Sequence, residues 1–406
     1  MTSTTSETRA AGEVARQDAH IADILTRIEG VLDRRGQPVV LHEPLFRGHE
    51  WDYLKTCIDT GWVSYAGSYV GKFEQALAEA SGVRHAIAVA NGTVALQIAL
   101  SLAGVERGDE VIIPDLTFVA SANAVSHCGA IPHLADSEEA TLGLDPRKLD
   151  LHLREIAEVR GGVCINKRTG RRIAAVMPMH TFGHPVDLDG LIEVAGRWRL
   201  VIVEDAAESI GSLYKGRPVG GYGLLAGLSF NGNKIVTTGG GGAILTNDDA
   251  LAKRAKHLTT TAKLPHRWEF VHDEVGYNFR LPNVNAALGL AQMEQLPGFI
   301  AAKRGLAARY QAAFAGCNAA EVFRDQEHVE SNYWLVNIIL RPGLEGLRDA
   351  LLSATNDAGI MTRPVWRLMH RLPMYEQCPR MDVSAAESLE ARIISLPSSV
   401  KHGLAS

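Results

Sequence analysis

The sequence predicts an α/β fold: a large domain whose mostly parallel sheet is covered by helices, followed by a smaller C-terminal α/β domain. Three observations carry this expectation. From His85 to Asn247, short apolar runs alternate with helical stretches, the pattern of strand–helix–strand units buried on both faces. Near Thr260 the strand signals stop, and they resume only at Tyr333. The 406 residues, 46% of them hydrophobic, suffice for a large core and more than one domain. The expected division is an N-terminal extension over 1–40, a large domain over 41–295 and a small domain over 296–406.

Taken in order, residues 1 to about 14 are polar and expected to be disordered. Ile21, Ile24, Leu25, Ile28 and Leu32 recur at helical spacing, which predicts a helix over 17–34. An extended segment, Leu41 to Glu50, leads into a helix over 49–60 that stops at Gly61. The loop Trp62 to Gly67 carries two aromatic rings, and Gly71 begins another helix. Ala86–Ala90 is a strand, Asn91-Gly92-Thr93 a turn, and a helix runs from Val94 to about Leu102 with Asn91 able to cap it. Such a turn is an anion site or an ordinary connection. Further strands follow at Glu110, Ala130, Ala174, Leu200, Leu225 and Gly242. Beyond them come a helix from Asn283, a longer one over 297–316, a strand over 333–340 and a helix over 344–358. The end, from Leu396, carries no signal.

Composition excludes several classes. A net charge of −5 leaves no electrostatic footprint for nucleic acid. Five scattered cysteines and fifteen histidines form neither a C-x-x-C nor an H-E-x-x-H, so no metal site is expected. There is no apolar run long enough for a membrane span and no apolar signal segment, and a cytoplasmic protein is expected.

The chemistry concentrates in Ser229-Phe-Asn-Gly-Asn-Lys234 and the run Gly239–Gly242. Four glycines in a row cost backbone entropy, and the usual reason is close approach of backbone to a ligand. Lys234 among Ser229, Asn231 and Asn233 is a candidate nucleophilic amine, or a solvated loop lysine. Upstream, Asp205 ends the apolar run Leu200–Val203-Glu204-Asp205. Ligands of open α/β sheets bind beyond such strand ends, although an acid there also serves as a helix cap. An acid and a lysine so placed suggest a pyridoxal phosphate site.

These stretches, with Pro114-Asp-Leu-Thr-Phe118, Glu204-Asp205-Ala-Ala-Glu208 and Gly276-Tyr-Asn-Phe-Arg280, resemble the DegT/DnrJ/EryC1/StrS family of nucleotide-sugar aminotransferases. These are pyridoxal phosphate enzymes of fold type I. The resemblance runs from about Leu41 to the end. It implies that Lys234 is the Schiff-base lysine and Asp205 the partner of the pyridine nitrogen. It places Gly92, Thr93 and Ser229 at the cofactor phosphate, with Asn278 reaching it from a second subunit of a homodimer. Phe118 would lie on the ring and Glu208 near its phenolic oxygen, where many relatives carry Gln. Trp62, His180, Arg280 and His370 are candidates for the sugar nucleotide, both histidines being equally suited to structural roles. Glu50-Trp-Asp-Tyr, Asp59-Thr-Gly-Trp-Val, the long stretch Phe230–Gly242 and Leu258–Lys263 are closest to the 4-aminotransferase branch of bacillosamine and legionaminic acid synthesis. The implied reaction moves the amino group of L-glutamate to C4 of a UDP-4-keto-6-deoxy-N-acetylhexosamine. The alternative acceptor is GDP-4-keto-6-deoxymannose. A dehydratase of this fold would carry histidine at Lys234, a regulator on this fold would not need Lys234 and Asp205, and a nicotinamide enzyme would need the G-x-G-x-x-G that is absent.

Overall fold

The computed structural model describes residues 3–32 and 38–404. Seven strands form the main sheet, in the spatial order His85–Val89, Gly242–Thr246, Leu225–Ser229, Val201–Asp205, Ile173–Val176, Glu110–Pro114 and Ile131–Ala135. From Leu225–Ser229 outward to Ile131–Ala135 every neighbouring pair is parallel. Gly242–Thr246 is antiparallel to both its neighbours. The physical reason is its connection. Residues 230–241 hold no helix, and a parallel return requires a crossover that usually contains one.

Both faces of this sheet are buried. Ile87, Val89 and Ile244 point to one side, where they join Leu96, Val111, Val125 and Val203. Ala86, Ala88 and Leu245 alternate to the other, among Phe73, Leu77, Leu228 and Ala287. Helices Ser68–Ser81 and Asn283–Met293 supply the second layer, and Gly92–Leu102 and Val119–His127 the first. The helix Glu50–Thr60 ends at Gly61, whose φ of 71° suits a residue without a side chain.

A second sheet is antiparallel, in the order Ala320–Val322, Val336–Leu340, Ile393–Leu396, Arg363–Pro364. Its third strand was not legible in the sequence. Ile393 and Ile394 follow directly on the helix Ser384–Arg392, so no turn residue announces the change.

The N-terminal helix is longer than expected, spanning Ser3–Val31. Ala10, Ala11, Glu13 and Arg16 are good helix formers, which explains why residues 3–14 extend it rather than lacking structure. Residues 1–2 of that expected disordered stretch, and 33–34 of the expected helix, lie outside the described residues. Ile24 and Ile28 are fully buried against Leu306, Tyr310 and Ile338. The extension is thereby part of the core that the second sheet builds.

Candidate active site

Register brings the loops of three strands to one edge. Gly242 is paired with Val89 on one side and Ser229 on the other. The turn after Val89 therefore meets the end of Leu225–Ser229 across the glycine run. Asn91 caps the following helix, its Oδ1 accepting from the Val94 N–H at 3.0 Å. A methyl group on Gly92 would lie 2.8 Å from Ser229 Cβ, and one on Gly242 would lie 2.5 Å from the carbonyl carbon of Asn91. These glycines allow backbone to close around a helix N-terminus whose N–H groups face outward, a cradle for an anion.

Beside this cradle is a cavity of about 330 Å³ lined by Gly92, Thr93, Phe118, Asp205, Glu208, Ser229 and Lys234, among others. Asp205 ends its strand and is 2% exposed. Its carboxylate accepts from Ser121 Oγ at 2.6 Å and from the Ala207 N–H at 3.2 Å. Burial raises its pKa, against the bonds from Ser121 and Ala207. Glu208 is also buried, and accepts from the Phe182 N–H at 2.9 Å and from Lys234 Nζ at 3.0 Å. Desolvation outweighs that ammonium and pushes the Glu208 carboxyl up to about 7. Lys234 Nζ also lies 3.7 Å from the centre of the Trp334 ring.

The profile of the DegT/DnrJ/EryC1/StrS aminotransferase family matches residues 46–405. The chain belongs to that family. The aminotransferase is 39% identical to a GDP-perosamine synthase of Caulobacter vibrioides over 358 residues, 87% of this chain and 91% of the relative. A GDP-perosamine synthase of Escherichia coli O157:H7 is 37% identical, across 89% of this chain and 93% of its own. Among solved structures, the aminotransferase TlmJ of Streptoalloteichus hindustanus superposes with a TM-score of 0.80 at 27% identity, covering 89% and 93% of the two chains. The aminotransferase depends on pyridoxal phosphate.

The residues of the aminotransferase fit that cofactor. The glycine cradle offers N–H groups of the kind a phosphate needs, and a buried carboxylate and an amine face the same cavity. Six of the seven residues expected at the cofactor line this cavity beside Lys234: Gly92, Thr93, Phe118, Asp205, Glu208 and Ser229. Asn278 does not. It is exposed, and its backbone bridges to Thr260.

None of the four candidates for the sugar lines the cavity of the single chain. His180 is fully buried, 3.1 Å from Glu204 Oε2, with Nδ1 accepting from the Val186 N–H. His370 Nδ1 is 2.5 Å from Asp115 Oδ2. Both rings are held by acids distant in sequence. Arg280 is 7% exposed and paired with Glu74 at 2.5 Å. Trp62 is 58% exposed, its carbonyl accepting from Asn283 Nδ2 at 2.6 Å. Conversely, Ser121, Trp334 and Trp366 were not singled out in the sequence. Trp334 and Trp366 arrive from the far end of the chain, and no local pattern marks them.

Proposed function

We propose that the chain transfers the amino group of L-glutamate to C4 of GDP-4-keto-6-deoxymannose at the cavity around Lys234. The observation that carries the choice of sugar is the 39% identity to a GDP-perosamine synthase across 87% of this chain. The UDP-linked acceptor expected from the wording of Glu50–Val63 and Phe230–Lys263 has no comparable support.

Pyridoxal phosphate, when bound, supplies an electron sink for the pair left when a carbon next to nitrogen loses its proton. The chain does the rest. Asp205, held in a nearly dry site by Ser121 and Ala207, would present a carboxylate oxygen to a ring N–H and keep the proton there. The N–H groups of Gly92 and Thr93 and the hydroxyl of Ser229 would hold the phosphate at the helix N-terminus. Phe118, N-terminal neighbour of the helix Val119–His127, offers a ring face to the cavity. The Lys234 amine would hold the cofactor and, when free, could move a proton between the two carbons beside the transferred nitrogen. Glu208 sits within reach of that amine, at the position proposed for the phenolic oxygen. Trp334 and Trp366 narrow the cavity and exclude water.

The test is an amine-transfer assay across GDP-, UDP- and dTDP-linked 4-keto sugars with L-glutamate as donor. The GDP sugar should give the highest kcat/KM, with the new amine at C4 by NMR. A clear preference for the UDP sugar, or an amine at C3, overturns the proposal.

A further inference from the structure

Lys234 is held from two sides. Its Nζ lies 3.0 Å from Glu208 Oε1 and 3.7 Å from the centre of the Trp334 ring. Trp334 also grips the backbone beside this lysine, because its indole N–H donates to the Asn233 carbonyl at 2.7 Å. Trp334 is 4% exposed, and Asn332 Oδ1 accepts from its backbone N–H at 2.8 Å. The Nδ2 of the same Asn332 donates to the carbonyls of Glu208 and Ile210, at 2.8 and 2.9 Å. One buried amide therefore ties the backbone that carries the indole to the turn that carries the carboxylate.

We infer that Trp334 and Glu208 are the two walls of a seat for the released Lys234 ammonium, and that Asn332 sets the distance between them. This rests on the reading of Lys234 as the amine that is freed during turnover. A cation over an indole face is favoured by the ring quadrupole, the more so where water is excluded. Packing alone would fix the indole, but would not require its face to lie beneath an amine while its N–H holds the preceding carbonyl. The two walls differ chemically, since the carboxylate titrates and the indole does not. The ionisable groups that act on this amine are Glu208, Asp205 and His42. With Glu208 ionised, both walls hold the cation; with Glu208 protonated, the ring alone does. Trp334 is thus a positioning residue, acting through Lys234.

The full-length protein stripped of cofactor tests this without any sugar. A short acetylating pulse is applied across a pH series, and labelling of Lys234 is compared with that of exposed Lys55 by mass mapping. In Trp334→Phe the midpoint of the Lys234 profile should fall by about half a pH unit, equivalent to roughly threefold more labelling at low pH. It should fall further in Trp334→Leu and in Glu208→Gln. A rise in the labelling plateau with an unmoved midpoint in Trp334→Phe, meaning better access only, overturns the proposal. So does a lowered Tm with an unchanged profile. Should Trp334→Leu fail to fold, the Phe and Gln variants still decide the matter. L-glutamate added to the cofactor-loaded wild type is the control for the underlying reading. If it leaves the visible spectrum unchanged, the aminotransfer assignment of Lys234 fails; the labelling profile stands apart from that outcome and from the identity of the sugar.

Discussion

At the scale of single residues, Lys234 and Glu208 carry the sharpest expectations. Lys234→Ala should abolish turnover, and borohydride reduction of the loaded wild type should fix the cofactor on Lys234. Mass mapping that found it on another lysine would refute the assignment. Glu208 makes a prediction about pH. Its carboxyl is raised from the ordinary 4.5 to about 7 in the folded protein, because burial outweighs Lys234. Below about pH 4.5 both folded and unfolded chains hold this proton. Between there and about 7 only the folded chain does, so this group's contribution to stability is lost as pH rises through that window. Glu208→Gln removes the titration. In the cofactor-free protein, its urea midpoint should therefore gain on the wild type between pH 5 and pH 8, and a constant difference would refute this. Lys234 and Asp205 stand out in the sequence because each ends a strand or adjoins glycines. The partners of His180, Arg280 and His370, namely Glu204, Glu74 and Asp115, do not, since they are set only by the fold.

At the scale of elements, the informative unit is strand, turn and helix around Gly92. The sequence placed the strand ends, the cap Asn91 and the helix, because apolar periodicity and a capping residue are local signals. It did not reveal that Gly242–Thr246 runs against its neighbours, which depends on how residues 230–241 return. That reversal is what presses Gly242 onto Asn91. A methyl at position 92 would sit 2.8 Å from Ser229 Cβ, closer than real side chains come. Gly92→Ala should leave the fold intact, since Ala favours helices, but shift the N–H groups of the cradle. Its affinity for pyridoxal phosphate, by fluorescence titration, should fall about tenfold, a loss of about 1.4 kcal/mol. Unaltered affinity would remove the cradle's claim to the phosphate.

At the scale of the molecule, the N-terminal extension and the neighbouring copy remain to be tested. The helix Ser3–Val31 buries Ile28 completely against the core of the second sheet. Ile28→Ala should cost about 2–5 kcal/mol. Limited proteolysis should then cut within the helix before the rest of the chain, and wild-type resistance would contradict this. Asn278 lies outside its own cavity, and the proposed role is therefore toward a second copy. Inactive Lys234→Ala mixed with an inactive Asn278→Ala should regain part of the activity, since a hybrid dimer has one site with neither change. No recovery, with subunit exchange demonstrated, would count against a shared site. The two-domain reading came from where strand signals stop and resume. The docking of the extension did not, because its apolar stripe names no partner.

The strand His85–Val89 has a consequence for how the protein is made. Its sole strand neighbour in the main sheet, Gly242–Thr246, is synthesised about 150 residues later. At a ribosome speed of roughly 5–20 residues per second, that edge waits on the order of ten seconds or more for its pairing. During this interval the nascent chain carries an unpaired, apolar strand, the kind of surface that chaperones bind and that drives aggregation. Messages truncated before codon 246 should accordingly yield insoluble or chaperone-bound fragments rather than a smaller folded protein.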